Sequence, residues 1–178
     1  MGARAGSPSR PRDVDVRVRR ATPDDLEVLL DLYEAVAAER VHIGGEAPVD
    51  RSRRRASWLE TMDPSTPGTS MVAEAGGAIV GQLGVTGTGR MELGMWVRAD
   101  WRGRGVGSRL VEAAIHYARS HGAYKISLEV WPHNAAAIAL YEKFGFEREG
   151  YLRKHWRRRN GELWDSVVMG LVLVEDEA

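Results

Sequence analysis

The chain has no cysteine, which excludes disulfides, thiolate nucleophiles and cysteine-ligated zinc together. It has no long apolar run either. The longest, residues 167–174, is too short to span a membrane. No apolar segment follows the basic N-terminus, so no secretory signal is expected and the cytoplasm is the expected location. Neither charge sign is in excess: 25 Lys and Arg stand against 25 Asp and Glu. Global charge therefore points to no nucleic-acid or membrane partner. No His, Asp or Glu grouping has metal-ligand spacing, so no metal is expected. What remains is a 178-residue chain, 43% apolar, that fits one domain with a sizeable core.

Residues 1–12 carry Gly, Ser, Pro and Arg without periodicity and read as a disordered basic arm, leaving 13–178 as a single domain. Val14, Val16 and Val18 alternate with charges over 13–20, a first strand. Thr22-Pro23-Asp24-Asp25 then has the form of a helix start, and Leu26, Leu29, Leu30, Tyr33 and Ala37 follow at helical spacing. Residues 42–50 are a loop and 51–62 a second helix. Strands at 70–74 and 78–85 flank a Gly76-Gly77 turn. Strands at 91–98 and 124–130, a helix at 134–144 ended by Gly145, and strands at 146–156 and 163–174 complete the order βααβββαβαββ.

The most informative stretch is 91–121. Met91, Leu93, Met95 and Val97 alternate against Glu92, Gly94, Trp96 and Arg98 as a strand. A helix beginning near Val106 carries Leu110, Ala114 and Ala118 on one stripe. Between them lies Trp101-Arg102-Gly103-Arg104-Gly105-Val106-Gly107-Ser108. Alternating glycines permit close approach of a ligand to the backbone. The helix start offers unpaired N–H groups and a positive dipole end. With Arg102 and Arg104 added, this is a phosphate or pyrophosphate site. It lacks the Gly-Lys-Ser/Thr of a Walker A loop, and Ser108 stands where a dinucleotide fingerprint needs a third glycine or alanine.

Arg102-x-x-Gly105-x-Gly107 resembles the R/Q-x-x-G-x-G/A signature of the GCN5-related N-acetyltransferases (GNAT). A second block, Leu128-Glu129-Val130 followed by Asn134, Ala137, Leu140-Tyr141 and Gly145-Phe146, resembles the second signature of the same family at the expected spacing. The resemblance covers about residues 13–174 and is densest from Met91 to Phe146. It implies an α/β (α+β) fold, with a mixed, mostly antiparallel sheet splayed between strands 4 and 5 and flanking helices. It implies acetyl-CoA as cosubstrate, its pyrophosphate held by Arg102, Gly103, Arg104, Gly105, Val106, Gly107 and Ser108. It also implies that Asn134 and Ala137 lie along the pantetheine arm, with the Tyr141 hydroxyl near the thioester sulfur. Asn134 and Tyr141 are two helical turns apart and so share a face. Asn134 also reads as a plain helix cap and Tyr141 as a core aromatic.

Acetyl transfer to an amine needs a base, a donor to the developing oxyanion, and a proton or hydrogen bond for the leaving thiolate. Free backbone N–H groups around Met95, Trp96 and Val97 on the splayed strand suit the oxyanion, and Tyr141 suits the thiolate. Glu92 and Glu129 are the candidate bases; each also reads as a solvated strand charge. Trp58, Trp156, Trp164 and Tyr151 could wall an acceptor site. Arg53, Arg54, Arg55 and Arg157, Arg158, Arg159 could favour an anionic acceptor or form solvated faces. His42 and His155 could line the acceptor side. The ending resembles the branch near ribosomal-protein and small-amine or amino-acid acetyltransferases, so the acceptor is a small-molecule amine, an amino acid or a protein N-terminus. The rival readings are an acyl-CoA-binding module without catalysis and an arginine-rich nucleic-acid binder, the latter opposed by zero net charge. The apolar strand at 167–174 suggests a homodimer edge.

Overall fold

The computed structural model describes residues 15–174. The arm read at residues 1–12, the start of the strand read at 13–20 and the chain end from 175 lie outside them. The elements are β1 (Arg17–Arg20), a 3-10 turn (Pro23–Asp25), α1 (Leu26–Ala38), α2 (Arg51–Met62), β2 (Gly68–Ala75), β3 (Ala78–Thr86), β4 (Arg90–Val97), a 3-10 turn (Ala99–Trp101), α3 (Val106–Ser120), β5 (Lys125–Val130), α4 (Ala135–Lys143), β6 (Glu147–Arg157) and β7 (Leu163–Val172). The order matches that read from the sequence.

Local chemistry sets the helix starts. Asp25 accepts the Thr22 N–H at 2.8 Å and takes both Arg19 nitrogens at 2.7 and 2.8 Å, which fixes the entry into α1 against β1. Asp50 accepts the Arg53 N–H at 3.0 Å at the head of α2. Asn134 accepts the Ala137 N–H at 3.3 Å at the head of α4.

Seven strands form one sheet in the order β1-β2-β3-β4-β5-β7-β6. Every pairing is antiparallel except β4 with β5, which α3 connects. That parallel ladder holds only at Arg90↔Lys125, Met91↔Ile126 and Glu92↔Ser127. Beyond Glu92 the two strands diverge, which is the splay the resemblance implied. The alternation of β4 divides its side chains between two cores. Met91 and Leu93 pack with Val106, Leu110 and Ala114 of α3; Trp96 packs with Leu29, Leu30 and Tyr33 of α1 and Trp58 of α2. Leu29 and Leu110 are fully buried, so either Leu→Ala change costs about 2–5 kcal/mol.

One expectation is corrected. β7 is no free edge: it lies between β5 and β6, so its backbone groups are paired on both sides and the open-edge argument for a dimer there fails; Val167 and Met169 are buried, while Leu163 and Val172 are exposed. The edge on that side is β6, whose ladder with β7 breaks between Leu152 and Trp156.

Candidate active site

The divergence of β4 from β5 opens a cleft of about 730 Å³. It runs from the turn before α3, between β4 and α4, to a chamber walled by α1, α2, β5, β6 and β7.

At the first end, Gly103 (φ +71°) and Gly105 (φ +83°) take left-handed backbone conformations that other residues resist. The α3 ladder begins with Arg109 N–H to Gly105 O at 3.2 Å. The backbone N–H groups of residues 103–108 have no acceptor among the described residues. A run of unpaired amides at the positive end of a 15-residue helix is a fit for pyrophosphate. Gly107 serves packing: a Cβ there would lie 2.8 Å from Leu140 Cδ2 of α4. Gly103, Gly105, Gly107 and Ser108 line the cleft. Two side chains depart from the expected role. Val106 is buried in the core, so only its backbone faces the turn. Arg104 is exposed and lies over the Trp101 ring at 5.2 Å. Arg102 lines the cleft, but its guanidinium grips Glu39 at 2.7 and 2.9 Å and donates from Nε to Val97 O at 3.0 Å.

Along β4, Arg98 N–H donates to Val80 O at 2.9 Å, so the even-numbered amides point toward β3. Met95 and Val97 therefore present their backbone groups to the opening. Trp96 does not: its amide belongs to the β3 side, and its half of the wall is the indole, whose Nε1–H is buried without an acceptor among the described residues.

Asn134, Ala137 and Tyr141 line the facing side on α4. The Tyr141 ring is 6% exposed and packs on Phe146 at 5.5 Å between centroids. Its hydroxyl has no hydrogen-bond partner among the described residues, and burial pushes the phenol well above its usual value. It thus stays a proton donor across the physiological range.

Both candidate bases line the cleft but differ in setting. Glu129 Oε2 accepts from Trp156 Nε1 and Ser166 Oγ, each at 2.8 Å, while His155 Nε2 stands 3.8 Å from Oε1. Glu92 is half exposed and pairs with its strand neighbour Arg90. Glu129 is thus held in one orientation by two β-strands, and Glu92 by a solvated arginine.

The chamber beyond is aromatic: Tyr33, Trp58, Trp131 and Trp156, with His42 and Arg54. Burial and the nearby Arg102 charge push the His42 imidazole below its usual value. Residues 41–50 close one side. His133 Nε2 bonds Val41 O at 3.0 Å, and the buried Arg158 donates to Gly44 O at 2.9 Å while its guanidinium stacks near Trp131 and Trp164.

The expected wall is therefore half right. Trp164 lies behind Trp131, 5.3 Å between ring centroids, and Tyr151 faces solvent with its hydroxyl on Asp165. Of the two arginine groups, only Arg54 lines the cleft. Its place was readable: it stands four residues before the buried Trp58, on the same helix face. Ser166 and Trp131 carried no such local signal.

Residues 29–146 match the model of the acetyltransferase (GNAT) family, and the chain belongs to that family. It is 31% identical over 144 residues to an L-methionine sulfoximine/L-methionine sulfone acetyltransferase of Pseudomonas aeruginosa, covering 76% of this chain and 82% of that protein. A ribosomal-protein-alanine N-acetyltransferase structure from Brucella melitensis is 30% identical with a TM-score of 0.79, over 88% of this chain and 99% of that one. A putative acetyltransferase from Salmonella typhimurium, solved with its cofactor acetyl-CoA, shares the fold at 22% identity with a TM-score of 0.79, over 92% of this chain and 96% of that one.

Proposed function

We propose that this acetyltransferase moves the acetyl group of acetyl-CoA to a primary amine by direct attack, with both substrates bound in the one cleft. The observation that carries the reading is the run of amides at 103–108, unpaired among the described residues, opening into a cleft that also holds a tyrosine hydroxyl with no partner among those residues and an anchored carboxylate. Acetyl-CoA supplies the activated acetyl thioester. The amides of 103–108 hold its pyrophosphate, and the side-chain nitrogen of Asn134, whose oxygen caps α4, faces the pantetheine arm. The backbone N–H groups of Met95 and Val97 stabilise negative charge as it develops on the acetyl oxygen. Glu129 takes the proton from the acceptor ammonium. As the C–S bond breaks, Tyr141 donates its proton to the departing sulfur, and the second proton of the newly acylated nitrogen restores the phenol. Glu129 is preferred to Glu92 because two donors fix its direction.

The test is a thiol-release assay with acetyl-CoA against amino acids, polyamines, aminoglycosides and peptide N-termini. Amine-dependent CoA release is the expected result. Tight acetyl-CoA binding without turnover on any amine would instead favour a binding module.

A further inference from the structure

The four arginines at the head of α2 do different things. Arg51 reaches Asp31 at 2.8 Å and Glu27 and Glu34 at 3.3 Å, and Arg55 pairs with Glu27, so these two tie α2 to α1. Arg53 is exposed. Arg54 is half-buried, lines the cleft and forms no ion pair among the described residues. Its position is nevertheless fixed. Nη2 donates to the Tyr33 hydroxyl at 2.7 Å, and the guanidinium lies 4.3 Å over the Tyr33 ring and 5.7 Å from that of Trp58. The polar side chains beside it are otherwise engaged: Thr61 donates to Trp58 O and Gln82 to Ser70.

A cation held rigidly in a partly desolvated chamber, with most of its donors unengaged, is a receptor for an anion. The carboxylates that line the same cleft, Glu92 and Glu129, stand on β4 and β5 rather than on the α2 wall. We infer that Arg54 receives an anionic group of the acceptor, so that the preferred acceptor is a primary amine carrying a carboxylate. This rests on the acetyltransferase reading of the same cleft. The two charges of such an acceptor find opposite partners, the amine toward Glu129 and the carboxylate on the planar fork of Arg54. Trp58, Trp131 and Trp156 take an apolar body between them. Polyamines meet a like charge at Arg54, and a peptide N-terminus brings an uncharged amide there.

The experiment compares L-phenylalanine with L-phenylalaninamide, and L-leucine with L-leucinamide, in thiol-release kinetics with acetyl-CoA, for the wild type, Arg54→Met and Arg54→Lys. The expected wild type prefers each acid over its amide. Arg54→Met lowers kcat/KM for the acids by roughly 10- to 100-fold, the range for a lost charge-assisted pair, and leaves the amides nearly unchanged. Arg54→Lys recovers part of the loss, because it keeps the charge without the fork. Comparing the acid-to-amide ratio across variants cancels the different basicities of the amines, and turnover of the amides shows that the variants fold. An Arg54→Met enzyme with the wild-type ratio, or a wild type that prefers the amides, overturns the inference while leaving acetyl transfer intact. Absence of turnover on every amine, charged or not, overturns the acetyltransferase reading and this inference with it.

Discussion

Arg102 and Glu39 are joined by two parallel hydrogen bonds, 2.7 and 2.9 Å long, between the turn that opens α3 and the end of α1. The first signature residue therefore braces the two ends of the cleft against each other. With the Arg102 charge paired, the positive field at the turn comes from the backbone amides, the α3 dipole and Arg104, which forms no ion pair among the described residues.

Because the pair is about 70% shielded from solvent on both sides, Arg102→Gln or Glu39→Gln should each cost about 1 kcal/mol in urea unfolding. The double variant should lose no more than the worse single. Losses that simply add would mean that the bond contributes nothing.

The glycines of the turn should fail in different ways. Gly105→Ala meets no neighbour but must hold a φ of +83°, a strain of about 1–2 kcal/mol. Gly107→Val places a Cβ 2.8 Å from Leu140 Cδ2, so the end of that side chain must turn aside, and it puts branched methyl groups on the wall where the cofactor backbone contact is expected. Both should weaken acetyl-CoA in calorimetric titration, Gly107→Val by at least about tenfold, equivalent to ~1.4 kcal/mol. Wild-type affinity in both would contradict the pyrophosphate assignment.

Glu129→Gln should remove the acidic limb of the pH–rate profile, and Glu92→Gln should keep it. Ser166→Ala and Trp156→Phe each take a donor from the Glu129 carboxylate and so loosen its orientation. Each should lower kcat part of the way toward the Glu129→Gln value. A profile unaffected by Glu129→Gln but lost in Glu92→Gln would reverse the assignment.

The Arg19–Asp25 link makes a separate prediction about stability. The Arg19 hydrogen bonds, helped by the Thr22 N–H, hold Asp25 down from 3.8 to about 2 against the cost of burial. The folded value lies below the unfolded one, so ionisation favours the fold. That contribution, on the order of 2 kcal/mol, is complete above the ordinary value and is lost as pH falls toward 2. Asp25→Asn should lower stability at neutral pH and flatten its fall between pH of about 4 and 2. An unchanged acid limb in denaturation would show that the link is unimportant.

What was legible in the sequence was local. Alternating glycines before an amphipathic stripe, Asn134 ahead of a run of alanines, and Thr22-Pro23 before Leu26 each encode their geometry within a few residues. Partners set by the sheet were not legible. Glu129 meets Ser166 because β7 inserts between β5 and β6, and strand order is not written in any one strand. The same holds for Arg102 and Glu39, and for the burial of Arg158 against Gly44. The alternation of β4 was read correctly for side chains, but its consequence for amides, that Met95 and Val97 rather than Trp96 face the opening, depends on which edge β3 occupies.

The most direct test of acetyl transfer in this cleft is the steady-state rate of Tyr141→Phe with acetyl-CoA and the best amine from the thiol-release screen. The ring is buried against Phe146, and its hydroxyl is free to meet a leaving group. The expected result is a kcat lowered by roughly 10²-fold, as for one positioned acid, with KM for acetyl-CoA nearly unchanged because the ring still packs. An unchanged kcat accompanied by a lower melting temperature would show that Tyr141 serves only the core, and would contradict its role as the donor to sulfur.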